Sequence, residues 1–224
     1  MPRYAFFDFD GTLVSQDTFL ILLKAGLKPQ PWRLLFIILF SPMLLATWIF
    51  KLDKAMAKSL LLWSITVFKG KKGAIQFLQN TMLQEKDKIW FPQAIAEFEK
   101  LKQENIEIVV ISASGTTWIR ALLRSKYKNF KLIIGSRLGF CLGGIVLTSK
   151  NCYHEEKIKR IQEILGDDFV WHSAWSDHIA DLPMLKKAGL RYVISPKEKH
   201  VETFKQELSS DYTSLKWVVT KSHK

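Results

Sequence analysis

Tyr4-Ala5-Phe6-Phe7-Asp8-Phe9-Asp10-Gly11-Thr12-Leu13-Val14 reads as a buried strand, apolar and aromatic, running straight into two carboxylates and a glycine. Residues i and i+2 of a strand point the same way, so Asp8 and Asp10 are expected on one side where the strand ends. Two carboxylates so placed repel each other unless a cation sits between them or one holds a proton. Gly11 permits a sharp turn, and Thr12 offers a hydroxyl and a backbone N–H to an anion. Taken alone, the same residues also describe a solvated, aspartate-rich turn.

From Pro92 onward the pattern alternates strand and helix. Residues 106–111 are a β-branched run that predicts a buried parallel strand, ending in Ser112-Ala113-Ser114-Gly115. A helix is predicted over 116–127, a short strand over 132–134 and a hairpin flap over 137–148. A helix over 155–165, a strand over 169–174, a helix over 181–188 and a last strand over 191–194 follow. This order implies a doubly wound parallel sheet whose ligands sit at the carboxyl ends of its strands. Each remaining polar motif falls at such an end. Ser112 can donate to a phosphoryl oxygen, or simply cap a helix. Lys157 opposes the dipole near a helix N-terminus, so it calls for a nearby anion unless it is solvated. Ser176-Asp177-His178-Ile179-Ala180-Asp181 holds an acidic pair at i, i+4, which also fits an ordinary helix cap.

At 224 residues, one catalytic domain with a sizeable insertion fits better than two independent domains. With eight tryptophans and fifteen phenylalanines, some aromatic side chains are expected outside the core. A net charge of +12 and a pI near 9.6 point to an anionic partner: nucleic acid, an anionic membrane or a phosphorylated substrate. No arginine-rich or aromatic RNA-reading motif occurs, so nucleic acid is not expected. Cys141 and Cys152 have no zinc-site spacing and are expected as reduced, buried thiols of a cytosolic protein. The N-terminus enters a strand directly, unlike a signal peptide.

In order, D-x-D-G-T, a strand-end serine, a lysine at a helix start and S-D-x-x-x-D resemble the four motifs of the haloacid dehalogenase-like phosphatases. The likeness covers about residues 4–14 and 92–196, and its first and fourth motifs are the specific ones. The long insertion after the first motif resembles the helical-cap class that includes phosphoserine phosphatases. Lys58-Ser59-Leu60-Leu61-Leu62-Trp63, residues 152–157 and the hydrophobic cap are similar to the membrane-associated phosphatidylglycerophosphatase C group. One departure is Ser114, where phosphoserine phosphatases usually carry glycine; the cap also lacks an obvious polar pocket for a free amino acid.

The resemblance implies an α/β, Rossmann-like core from residues 1–14 and 91–224, with a helical cap inserted over 15–90. It further implies a Mg²⁺-dependent phosphomonoesterase working through an aspartyl-phosphate. Asp8 would be the nucleophile, and Asp10 the acid and then the base. Ser112, Lys157 and Thr12 would bind phosphate. Mg²⁺ would be held by Asp8, the main-chain carbonyl of Asp10 and Asp177. Asp181 would orient Lys157 or a metal-bound water, and Asp17 would contact substrate or the closing cap, or else cap the first helix.

Within the insertion, residues 34–50 carry no charge and are bracketed by Arg33 and Lys51, with Trp32 and Trp48 near the ends. As one helix they reach about 25 Å, short of a roughly 30 Å hydrocarbon core; broken at Ser41-Pro42, each arm reaches only about 12 Å. Asp8 precedes the segment, whereas Ser112, Lys157 and Asp177 follow it. If all meet in one site, the chain crosses a membrane an even number of times or not at all. The expectation is a re-entrant or interfacial cap on the cytoplasmic face of the plasma membrane, with Trp32 and Trp48 at headgroup level. The rival is a helix pair buried inside a soluble cap. Three functions stay open: a lipid phosphatase acting on a monoester such as phosphatidylglycerophosphate, a soluble phosphatase of small polyol or amino-acid phosphates, and a non-enzymatic reuse of the fold.

Overall fold

The structure, a computed structural model, describes residues 1–50, 53–209 and 211–219. Its centre is β1 (Arg3–Phe7), whose side chains alternate between two apolar clusters, one on each face of the sheet. Ala5 and Phe7 join the first cluster, and Tyr4 and Phe6 the second. A strand apolar on both faces must lie inside a sheet covered on both sides, and this one does. β2 (Glu107–Gly115) and β6 (Val170–Ser176) flank it in parallel. β3 (Leu132–Ser136) lies beyond β2, and β7 (Leu190–Ile194) and β8 (Thr213–Leu215) lie beyond β6. The order β3-β2-β1-β6-β7-β8 is parallel throughout. Strand order reverses beside β1, which opens a crevice at the carboxyl ends of β1, β2 and β6.

An aromatic ladder fixes the level at which those strands end. Phe7 stacks on Trp175 at 4.1 Å, and Trp175 on Tyr192 at 4.5 Å, each pair within 7° of parallel. Such contacts contribute about 0.5–1.5 kcal/mol each beyond area burial. The Asp8 N–H donates to the Trp175 carbonyl at 3.0 Å, so Asp8 and the turn after β6 leave the sheet side by side.

The inserted helices are α1 (Thr18–Leu27), α2 (Leu34–Leu39), α3 (Ser41–Ile49), α4 (Lys54–Thr66) and α5 (Gly70–Ile89). Their inner residues, Phe19, Leu22, Leu62, Ile65 and Leu78, share one apolar cluster with Phe7, Phe98 and Trp118. The remaining helices are α6 (Pro92–Gln103), α7 (Thr116–Lys126), α8 (Glu155–Leu165), α9 (Leu182–Lys187) and α10 (Glu198–Glu207). The expected flap is an antiparallel hairpin of β4 (Leu138–Cys141) and β5 (Gly144–Leu147), and it is pinned to α4. Ile145 N–H donates to Thr66 Oγ1, Leu147 N–H to Ser59 Oγ, and the Trp63 indole to the carbonyls of Cys141 and Leu142. Gly144 has no side chain where the Trp63 ring lies, and a Cβ there would overlap it.

Several expectations are corrected. The second strand does not end at Ser112 but runs on to Gly115, because its pairing with β3 resumes at Gly115–Ser136 after an irregularity. The strand at 191–194 is not the last; α10 and β8 follow it. Cys152 is buried, whereas Cys141 is exposed on the hairpin, and both are free thiols. Residues 34–50 form two short helices bent by 55° across the break at Phe40, and no single helix among the described residues is long and apolar enough to cross a membrane. They are not a buried pair: α2 has no buried residue and α3 only Thr47. Arg33 does not flank them at the surface. It is buried, donating to the carbonyls of Ser64 and Val67 at the C-terminal end of α4, where a cation suits the helix dipole. Lys51 lies outside the described residues.

Candidate active site

The crevice at the strand ends is a cavity of about 400 Å³, lined by Asp8, Asp10, Asp17, Ser112, Lys157, Asp177 and Asp181 among others. Seven of the eight sequence-predicted site residues line it; Thr12 alone among them does not. The Thr12 hydroxyl accepts from the Asp177 N–H at 3.0 Å and reaches the Asp177 carboxylate at 3.4 Å, while its own N–H goes to the Phe9 carbonyl. Both groups expected to meet an anion are thus spent on joining the turn after β1 to the turn after β6. Gly11, at φ +86°, belongs to the same joint, since a Cβ there would overlap the Asp177 carboxylate.

Lys157 lies in the first turn of α8, and the anions it calls for are protein carboxylates. Its ammonium is 2.6 Å from Asp8 Oδ1 and 2.7 Å from Asp181 Oδ1, with 2.8 Å to Asp181 Oδ2. The lysine is almost wholly buried. Burial by itself would lower its pKa; Asp181 and Asp8 more than reverse this and hold it well above the ordinary lysine value. The Ser176 hydroxyl donates to Asp181 at 2.7 Å, so Asp181 is held from the strand side while it contacts the lysine.

The acids are also pushed up, which for them is away from the charged form. Burial raises Asp8 well above the usual carboxylate range against the pull of Lys157, and the charges on Asp181 and Asp177 add to the rise. Asp177 is raised to about 7, first by burial and then by Asp181. Lys157 and, at Asp177, Lys197 pull these acids down without cancelling the rise. No group of three or more His, Cys, Asp or Glu side chains placed to hold a metal ion together is found among the described residues. Mg²⁺ does not require one, because it keeps several waters and is commonly held by one or two carboxylates together with substrate phosphate. The donor set fits such an ion, with Asp8 and Asp177 as its carboxylates.

Among the described residues Asp10 has no ion-pair partner. One oxygen accepts from the Thr18 N–H at 2.7 Å and the other from the Ser114 hydroxyl at 2.5 Å, with Ser112 Oγ at 3.5 Å. The Ser114 bond ends a buried chain, Trp118 Nε1–Thr18 Oγ1–Ser114 Oγ–Asp10. The indole can only donate, so each hydroxyl passes its proton onward and the last bond points at the carboxylate. Burial still raises the Asp10 pKa, the Ser114 and Thr18 bonds offsetting part of the rise. A carboxyl that keeps its proton to higher pH suits a general acid. Because its side chain is so engaged, any part Asp10 plays toward a metal falls to its main-chain carbonyl.

Asp17 caps α1, accepting from the N–H groups of Phe19 and Leu20, and also reaches the cavity wall. Sequence reading missed the cationic side of the cavity as a site: Lys54 and Lys58 from the cap, and Lys197 after β7. Lys58 donates to the Ala113 carbonyl at 3.1 Å and to Asn151 Oδ1 at 3.3 Å. Burial lowers its pKa, while Asp10 and Asp17 pull it up. The i, i+4 spacing of Lys54 and Lys58 on an otherwise apolar helix was a usable signal. Lys197 gave none.

Comparison with known proteins agrees with this fold. The sequence is 29% identical over 193 residues to protein CicA of Caulobacter vibrioides, covering 82% of each chain. Similar structures include a protein of unknown function from Bordetella pertussis Tohama I, at TM-score 0.73 and 15% identity over 95% of this chain and 98% of that one. A substrate-bound phosphoserine phosphatase follows at TM-score 0.58 and 16% identity, over 95% and 93%. The family model for haloacid dehalogenase-like hydrolases matches residues 5–186, from β1 through most of α9. The chain belongs to the haloacid dehalogenase-like hydrolase family.

Proposed function

We propose that this protein is a phosphomonoester hydrolase acting through a phosphorylated Asp8 on a lipid phosphate, such as phosphatidylglycerophosphate, at the cytoplasmic face of an anionic membrane. The observation that carries the lipid reading is the uncovered apolar face of α2 and α3. Leu35, Ile38, Leu39, Leu45, Trp48 and Ile49 are all exposed there, Trp48 at 78%. Contiguous exposed apolar surface of this kind marks a membrane or partner contact. The cap carries eleven basic and four acidic side chains, which favours an anionic surface.

Asp8 attacks phosphorus in line with the leaving oxygen. As the new P–O bond forms and the ester P–O bond breaks, Asp10 gives its proton to the leaving alkoxide. Water then attacks phosphorus, Asp10 takes its proton, and the bond to Asp8 breaks to release phosphate. Lys157 and Ser112 hold the phosphoryl oxygens. When bound by Asp8, Asp177 and the Asp10 carbonyl, Mg²⁺ offsets the repulsion between a carboxylate nucleophile and a phosphate dianion.

The test is phosphate release from phosphatidylglycerophosphate in vesicles compared with glycerol phosphate and phosphoserine in solution. A preference for the lipid supports the reading. A preference for the soluble esters would make this a small-molecule phosphatase and sink the lipid assignment. EDTA is expected to stop release and added Mg²⁺ to restore it; full activity in EDTA would remove the metal from the mechanism.

Ser114 gives a second check. Its hydroxyl stabilises the charged form of Asp10, so Ser114→Ala raises the Asp10 pKa further. The alkaline limb of the kcat/KM profile is expected to move to higher pH, because the acid keeps its proton longer. An unmoved limb would mean that Asp10 is not the group titrating there.

A further inference from the structure

We propose that the groove between α3 and α4 holds a hydrocarbon chain of the same molecule whose phosphate is bound at Asp8. This rests on the lipid reading above and adds where the tail goes. The groove is a cavity of about 970 Å³, walled by Leu44, Trp48 and Ile49 from α3 and by Ala57 and Leu61 from α4. The volume lies at the upper end of the usual range for ligand cavities, roughly 300–1,000 Å³. Its one hydroxyl, on Thr47, is already spent on the Leu44 carbonyl at 2.7 Å, so the walls ask for no polar partner.

The groove and the catalytic cavity share one lining residue. Lys54 lines both, and its ammonium lies 5.0 Å over the ring of Tyr153, itself part of the catalytic wall. On α4, Lys54 and Lys58 are one helical turn apart, and so are Ala57 and Leu61. One helix therefore offers cations to the phosphate side and apolar side chains to the groove. A ligand filling both spaces carries an anionic head and an apolar tail that meet at Lys54. Small molecules with no tail leave the groove unused.

The experiment uses the full-length protein and monoalkyl phosphates from butyl to decyl, each below its micelle concentration and with no membrane or detergent present. Each methylene taken out of water favours binding roughly fourfold when fully buried. In this half-open groove kcat/KM is expected to rise at least about 10²-fold from butyl to decyl phosphate. Ala57→Trp and Leu44→Trp fill the groove from opposite walls, and each is expected to flatten that rise below about fivefold. Thermal melting shows that each variant is folded. A flat series in the wild type overturns the proposal, as does a folded variant of each kind that keeps the wild-type slope. If phosphatidylglycerophosphate in vesicles is hydrolysed while the groove variants keep their slope, the lipid reading stands and the groove assignment falls. If the slope is steep and both variants abolish it, yet vesicle lipid is untouched, the groove stands and the membrane substrate is wrong.

Discussion

Asp8→Asn is expected to lower kcat by at least about 10⁴-fold, the scale on which loss of a nucleophile is felt. The amide keeps the shape of the carboxylate but not its capacity to form a bond to phosphorus. What makes the test clean is that the fold should tolerate the change. Removing one partner of a buried ion pair ordinarily costs about 3–5 kcal/mol, because a charge is left without a counterpart. Here Lys157 keeps Asp181, with both carboxylate oxygens within 2.8 Å, so no orphaned ammonium is created. The Asp8 pKa also lies above its unfolded value, chiefly through burial. A carboxyl raised in this way is easiest to fold around below its unfolded pKa, and its contribution to stability is lost as pH rises through the folded value. Burial therefore makes the ionised form of this side chain a liability, which asparagine removes. Measured in EDTA at pH 7, the variant should melt at or above the wild-type temperature while releasing essentially no phosphate. Activity within tenfold of wild type would dismiss Asp8 as nucleophile, and a variant that loses activity by unfolding would make it a structural residue.

Much of this site was legible because its residues break local rules. Asp8 and Asp10 follow directly on an aromatic strand, and Lys157 sits where a helix dipole disfavours a cation. Each anomaly needed a partner of opposite sign, and the structure supplies Asp8 and Asp181 to the lysine. What stayed hidden was decided by contacts across long sequence separations. Thr12 offers the same hydroxyl whether it binds an anion or braces a turn; only the approach of Asp177, 165 positions away, assigns it to the brace. Ser112-Ala113-Ser114-Gly115 has the composition of a loop, and it counts as strand because Gly115 finds Ser136 again beyond an irregularity. β8 has three residues and little apolar character, so local pattern gave no reason to expect it. The cap's surface is the opposite case. Its missing charges were visible in the sequence, but only the fold distinguishes an apolar run that is packed from one that is left bare.

That bare face carries the second large effect. Leu35, Ile38 and Leu39 are spaced i, i+3, i+4, so they lie on one side of α2, and they are 65%, 65% and 70% exposed. Burying such side chains is worth roughly 1.5–3 kcal/mol each, and aspartate is worse than neutral in a hydrocarbon layer. If α2 lies in the membrane interface, Leu35→Asp, Ile38→Asp and Leu39→Asp together should weaken binding to anionic vesicles by on the order of 10²-fold or more, even with partial insertion. Turnover of vesicle lipid should fall with it. The folded protein gives up little core packing, so its melting temperature and its hydrolysis of a small soluble ester should stay close to wild type. The arms are too short to span a bilayer, six residues in α2 and nine in α3, so binding should be that of a surface-lying element and should weaken with salt as the basic cap is screened. Unchanged vesicle binding in the triple variant would place the membrane contact elsewhere. A wild-type protein that sediments as a dimer, and a triple variant that sediments as a monomer, would instead assign this face to a second copy of the chain.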